Sequence, residues 1–276
     1  MLRAVERSGA VGAITAVSHG LPTVGLEEDE LERFLARDAV RKVSARDLGA
    51  AVAQRADGAT TVAATLALAR LADIPVFATG GIGGVHRPSP GHDGAAVWDE
   101  SADLLELSRS PVVVVCAGAK SILDLPATSE RLETLGVPVV GYRTDELPGF
   151  FTAETGIRLG MRADSPDEVA ALALAHWRLG NRQSVLVVQP PPSQHALTGY
   201  QMEVAIDQAL AEAERKGVQG AAVTPFLLEA VSRFTNGRSL QANLALLEQN
   251  AALAGAIAHA MRAMHAMHGM HAGGNE

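Results

Sequence analysis

The chain has 276 residues, a formal net charge of −8 and one cysteine, Cys116. That length suffices for one large domain with a substantial core, and the acidic balance argues against a nucleic-acid partner, so an anionic ligand must be met by a local group of positive side chains. A single cysteine forms no internal disulfide, no apolar run reaches membrane-spanning length, and the start Met1-Leu-Arg-Ala-Val-Glu-Arg-Ser8 carries charge where a signal peptide would be apolar, so the expected location is cytoplasmic.

In chain order, the patterning predicts a helix over 60–72, a strand over 74–79, a helix over 101–109 and a strand over 111–116. A helix over 129–135, a strand over 137–142, a helix over 165–179 and a strand over 184–189 follow, and two helices, 225–234 and 239–264, end the chain. Continuous apolar strands alternating with amphipathic helices imply a largely parallel or mixed sheet covered on both faces, a three-layer α/β/α sandwich. Pro75, Pro111 and Pro138 sit near strand starts, where a missing donor is tolerated. Ser165-Pro-Asp-Glu168 reads as a capping box with proline at the first helical position. No linker divides residues 1–258, which form one domain; residues 259–276 are a Met/His-rich tail.

The most apolar stretch, Pro111-Val-Val-Val-Val-Cys-Ala-Gly-Ala-Lys120, ends in a lysine. An ammonium at the mouth of so apolar a strand loses hydration, which lowers its pKa and frees a nucleophilic amine; a lysine snorkelling to water from a strand end would look the same. Cys116 within that strand reads as a small core residue. The loop Thr79-Gly-Gly-Ile-Gly-Gly-Val-His-Arg87 follows another strand, and its four glycines let backbone amides approach a phosphate or sugar hydroxyl. Pro88 follows instead of a helix and the third glycine is out of register, which excludes a dinucleotide fingerprint. Arg41, Lys42 and Arg46 cluster in an acidic protein, and Asp57-Gly-Ala-Thr-Thr-Val62 leads into a helix N-terminus suited to an anion. Asp99, Glu100 and Asp103 lie within about one turn, as hard oxygen ligands for Mg²⁺ or Mn²⁺ or as ordinary helix-capping residues.

Together, Arg41-Lys-Val-Ser44, Gly58-Ala-Thr-Thr-Val-Ala-Ala-Thr65, Val76 to Arg87, Ser101-Ala-Asp-Leu104 and Val115-Cys-Ala-Gly-Ala-Lys-Ser-Ile-Leu-Asp124 resemble the pseudouridine-5′-phosphate glycosidase family, which includes the indigoidine-synthase A proteins. The similarity continues through Gly141-Tyr-Arg-Thr-Asp-Glu-Leu-Pro148, Thr224-Pro-Phe-Leu-Leu228 and Ser239-Leu-Gln-Ala-Asn243, and spans about residues 9–258. The resemblance implies reversible joining of uracil C5 to ribose 5-phosphate, with Lys120 as the nucleophile that forms an imine at the anomeric carbon. It implies one Mn²⁺ per subunit, held through water by Asp99, and a homotrimer. It further implies that Lys42, Val62, Thr79, His86, Ser101, Ala102, Asp103 and Asn243 contact the sugar phosphate or the base.

The resemblance departs at the front. Family members open with a strand whose glutamate serves as acid or base toward uracil; Thr15-Ala-Val-Ser-His-Gly-Leu-Pro22 imitates the end of that motif with Ala13 at the glutamate position. A gap-free match instead places 9–26 on a later family segment, with the opening strand and its glutamate absent. Two alternatives to an active glycosidase follow: a catalytically impaired relative that binds sugar phosphates, and a Schiff-base aldolase of another phosphosugar. Met261, Met264, Met267 and Met270 recur with His259, His265, His268 and His271, a pattern read either as Cu⁺ ligands or as an unselected helix end.

Overall fold

The computed structural model describes residues 1–36, 39–87, 99–218 and 220–272, with side chains for all of these except Ala221 and residues 267–272. Helix α1 (Leu2–Arg7) precedes strands β1 (Thr15–Ser18) and β2 (Leu21–Val24), then α2 (Glu28–Ala36), β3 (Arg41–Val43), α3 (Leu48–Ala53) and β4 (Gly58–Thr60). These four strands form a small mixed sheet in the order β2-β1-β4-β3. It is joined at β1 and β2 by a two-residue turn at His19 and Gly20, both with positive φ, the backbone that matches strand twist.

The larger sheet follows. Helix α4 (Val62–Leu71) leads to β5 (Val76–Ala78) and β6 (Val85–His86), then α5 (Ala102–Leu107), β7 (Val113–Cys116), β8 (Leu123–Asp124) and α6 (Leu125–Thr134). The chain continues through β9 (Val139–Tyr142), β10 (Met161–Ala163), α7 (Pro166–Arg178) and β11 (Val185–Val188) to three helices, α8 (Gly199–Arg215), α9 (Val223–Phe234) and α10 (Arg238–Ala272). Five strands pair in the order β10-β9-β11-β7-β5, every pair parallel, while β6 and β8 form a separate antiparallel ribbon.

The central strands read as unbroken valine runs because both their faces are covered. Val113, Val115, Val185 and Val187 pack with Val169, Ala173, Leu253 and Ile257 of α7 and α10. Val114, Cys116, Leu186 and Val188 pack on the other side with Leu66, Leu104, Leu132 and Met202 of α4, α5, α6 and α8. Each such aliphatic side chain contributes about 1.5–3 kcal/mol over its exposed state, and the three-layer α/β architecture expected from the sequence is the one found.

Capping places the helix starts. Thr61, Asp124 and Ser165 accept from the amides of Ala64, Ala127 and Glu168 at 3.3, 2.9 and 3.2 Å. The predicted box at Ser165 is half formed: Glu168 accepts from Asp164 N at 2.7 Å, one residue upstream of the cap. Helix α6 begins at Leu125, a turn before the predicted 129, because Asp124 is the cap. The small sheet and α8 escape prediction, the sheet because three of its strands are short and partly exposed, α8 because its apolar face consists largely of alanine. The Met/His segment is no separate tail at its start, since Met261 is 2% exposed in the core; side chains from 267 onward lie outside the described residues.

Candidate active site

The parallel pairing of β5 with β7 continues past both strands. Ala117 N donates to Gly80 O at 2.9 Å, Ile82 N to Gly118 O at 3.1 Å and Lys120 N to Ile82 O at 3.1 Å, so the glycine loop and the segment carrying Lys120 run zipped together. Glycine is required at two of these points. Gly118 has φ +89, with the Pro148 carbonyl where a side chain would stand, and a Cβ on Gly83 would sit 2.9 Å from Asp103 Oδ2 and collide with Ser101.

That collision shows how Asp103 is used. Its carboxylate is 5% exposed and accepts from Gly83 N at 2.8 Å and from Ala63 N at 2.9 Å, tying the glycine loop to the start of α4. Ser101 caps α5 by accepting from Asp103 N at 3.2 Å. Of the first amides of α4, Ala63 is held by Asp103 and Ala64 by Thr61; the Val62 amide stands first at the positive end of the helix.

Burial holds the Lys120 ammonium below the usual lysine range, with the Lys42 charge pushing the same way; Asp103 and Cys116 oppose them. Lys120 is thus shifted toward its neutral form relative to an exposed lysine, a shift that a side chain snorkelling freely into water would not show. Cys116 is fully buried and its thiol is pushed up to about 12, chiefly by burial, so it is no nucleophile.

Lys42, Val62, Thr79, His86, Asp99, Ser101, Ala102, Asp103, Lys120 and Asn243 all line one cavity of about 1460 Å³. Eight of these ten fall between residues 60 and 120, and Asn243 enters from α10, its Oδ1 being 3.3 Å from where a Cβ on Gly80 would stand. The basic trio divides: Lys42 and Arg46 line the cavity, whereas Arg41 hydrogen-bonds Gln54. Asp57 also belongs elsewhere, paired with Arg33 at 2.6 Å.

The three acidic residues do not converge on an ion. Glu100 is bonded to Arg131 Nε at 2.9 Å and Asp103 to two amides, which leaves Asp99, whose side chain is 59% exposed. Asp99 Oδ2 lies 2.7 Å from His86 Nδ1, and His86 N donates to Asp99 O at 2.9 Å. Among the described residues no three His, Cys, Asp or Glu side chains form a metal-binding group, so a divalent ion here would rest on one carboxylate and keep most of its water. Phe150, which sequence reasoning missed, also lines the cavity: its ring packs where a Cβ of Gly81 would be, at 2.6 Å, and its positive φ of 67 is set by the fold rather than by any local motif.

Comparison with known proteins fits this arrangement. Residues 1–260 match the family model described as indigoidine synthase A like protein. Similar curated proteins include pseudouridine-5′-phosphate glycosidases of Gemmatimonas aurantiaca, 61% identical over 95% of this chain and 83% of that one, and of Herpetosiphon aurantiacus, 53% identical over 93% and 83%. Among solved structures, the prealnumycin C-glycosynthase AlnA in complex with ribulose 5-phosphate superposes with a TM-score of 0.88 at 41% identity, covering 96% of this chain and 86% of that one. An indigoidine synthase A-like protein from Thermotoga maritima gives 0.84 at 38% identity, covering 93% and 83%. The chain belongs to the indigoidine synthase A-like family.

Proposed function

We propose that this chain is a pseudouridine-5′-phosphate glycosidase that reversibly cleaves the carbon–carbon glycosidic bond to give uracil and ribose 5-phosphate. The observation that carries the reading is Lys120, an amine biased toward its neutral form at the end of a buried strand, in one cavity with every residue the family resemblance assigns to substrate. A C-glycoside has no heteroatom leaving group. An amine that opens the sugar at its anomeric carbon leaves the ring oxygen as a hydroxyl, and the nitrogen lone pair can then expel uracil C5 as the imine forms. Uracil takes a proton, water hydrolyses the imine to ribose 5-phosphate, and Lys120 returns as the free amine.

The remaining groups hold the substrate for that step. Lys42, Arg46 and the Val62 amide provide the positive end of the cavity for the phosphate, and binding energy from this remote group positions the reacting carbon. Mn²⁺ would be held at Asp99 through water, and when bound it would supply charge to orient the phosphate side of the substrate. His86 lies beside Asp99, its Nδ1 2.7 Å from that carboxylate. We further propose a homotrimer and a lyase-type, imine-based reaction carried out in the cytoplasm; among the described residues no helix is long and apolar enough to cross a membrane.

A second reading, a relative that binds sugar phosphates but turns them over poorly, is favoured by one observation: Ala13, at the glutamate position of one family alignment, lines the cavity. Condensation of uracil with ribose 5-phosphate separates the readings. Robust product supports the glycosidase; borohydride trapping on Lys120 without product supports the impaired relative. Consumption of ribose 5-phosphate that ignores uracil points to an aldolase.

A further inference from the structure

A buried chain of amides lies beneath the cavity, and the reaction outlined above does not use it. Asn250 of α10 is 1% exposed, and its Nδ2 donates to Thr79 O at 2.8 Å and more weakly to Gly80 O at 3.4 Å. Its Oδ1 accepts from Gln189 Nε2 at 2.9 Å, and Gln189, just past β11, is itself 4% exposed. Gln249 Nε2 then donates to Gln189 Oε1 at 3.0 Å and to Pro190 O at 3.4 Å. The polarity of the chain is forced: the Thr79 carbonyl can only accept, so Asn250 turns its amide nitrogen there and its oxygen to Gln189.

This relay joins the carboxyl ends of two sheet strands to the helix that carries Asn243. Asn243 and Asn250 are seven residues apart and so share a face of α10. A side chain on Gly80 would press on Asn243, Leu246 and Leu247, each 3.3 Å away, so the separation of loop and helix is set closely. Gly80 O accepts from Ala117 N at 2.9 Å, and the same zipper reaches Lys120 through Ile82. Orphaning a buried carbonyl is costly and leaves the loop free to shift.

We infer that Asn250, locked by Gln189, is a positioning residue that sets the height of the Thr79–Gly80 backbone against Asn243 and thereby the fit of the sugar phosphate. The inference rests on the glycosidase reading only for the choice of substrate. Asn250→Leu keeps the branched heavy-atom shape and removes the donor; Gln189→Met keeps Asn250 but frees its oxygen, and carries the test should the first variant fail to fold.

Expected for Asn250→Leu is a KM for ribose 5-phosphate raised on the order of 10- to 100-fold, with borohydride trapping on Lys120 at saturating sugar within about threefold of the parent, since the nucleophile itself is untouched. Gln189→Met shifts KM in the same direction by less. Hydrogen exchange of the 79–85 amides, measured without ligand, should quicken in both variants while the β11 amides stay protected. Unchanged exchange in folded variants, or equal losses in KM and trapping that follow melting temperature, overturns the inference. Failure of uracil condensation in the parent protein would instead remove the glycosidase reading and leave the exchange result to decide the role of Asn250.

Discussion

As the proposed nucleophile, Lys120 would attack in its neutral form, and its pKa is lowered, so the pH dependence has a definite sign. Trapping by borohydride in the presence of ribose 5-phosphate should rise with pH and level off below the range of an ordinary lysine. Lys42→Ala removes a repelling charge, raises the Lys120 pKa and should move that rise to higher pH; a profile that stays put would show that burial alone sets the amine. Lys120→Ala should bind sugar phosphate and lose turnover, and retained turnover would mean the nucleophile is another residue. Asp103→Ala orphans two buried amides, at Ala63 and Gly83, at a cost of roughly 1–3 kcal/mol each, to be read as lowered stability in urea. If the proposed Mn²⁺ site is at Asp99, Asp99→Ala should lower the metal content of protein equilibrated with Mn²⁺; unchanged occupancy would refute that site.

Among the elements, the pair α8 and α9 is held by a shared ion cluster. Glu212 accepts from Lys216 Nζ at 2.7 Å and from Arg233 at 2.8 Å, and these bonds, Lys216 first, hold its carboxyl at about 2. A carboxylate depressed in the folded state stabilises the fold above its unfolded pKa and loses that contribution as pH falls, here from about 4.5 toward about 2. Glu212→Gln should therefore flatten the acid limb of a melting-temperature profile while leaving neutral-pH activity unchanged. An unaltered limb would assign acid sensitivity to other carboxylates. The start of α7 was legible, since Ser165 and Pro166 announce themselves locally, whereas the Asp124 cap of α6 was not read and α8 escaped, its buried face resting on Ala205, Ala209 and Ala213, residues that carry little hydrophobic signal.

For the whole molecule, the cavity is the largest consequence of the fold, and its carboxylates are telling. Glu100 and Asp103 are already bonded, Asp47 accepts from Ser44 N at 3.0 Å, Asp99 lies exposed beside His86, and Ala13 stands where one family alignment expects a glutamate. A positioned carboxyl is worth ~10² to 10⁴ in rate, so Ala13→Glu, which places one on the cavity wall, should speed uracil condensation by as much as that factor, with Lys120 trapping unchanged. Parity in a side-by-side condensation assay would mean a lining residue such as His86 moves the proton. Sedimentation would test the proposed homotrimer.

By itself the sequence determined the layered architecture, because unbroken valine strands are stable only with both faces covered, and it singled out Lys120 as a candidate nucleophile, because an ammonium just beyond so apolar a strand loses hydration. It also identified the ten cavity residues through motifs whose order is specific to a family. Tertiary structure alone decided what those residues do to one another. Asp103 became a backbone clamp and Glu100 an arginine partner because helices α4 and α6 brought amides and Arg131 to them, which reduced three neighbouring acids to one exposed carboxylate. Asn250 and Phe150 were silent in the sequence for the same reason: their partners lie on strands and loops far away in the chain, and no local spacing encodes a contact that only folding creates.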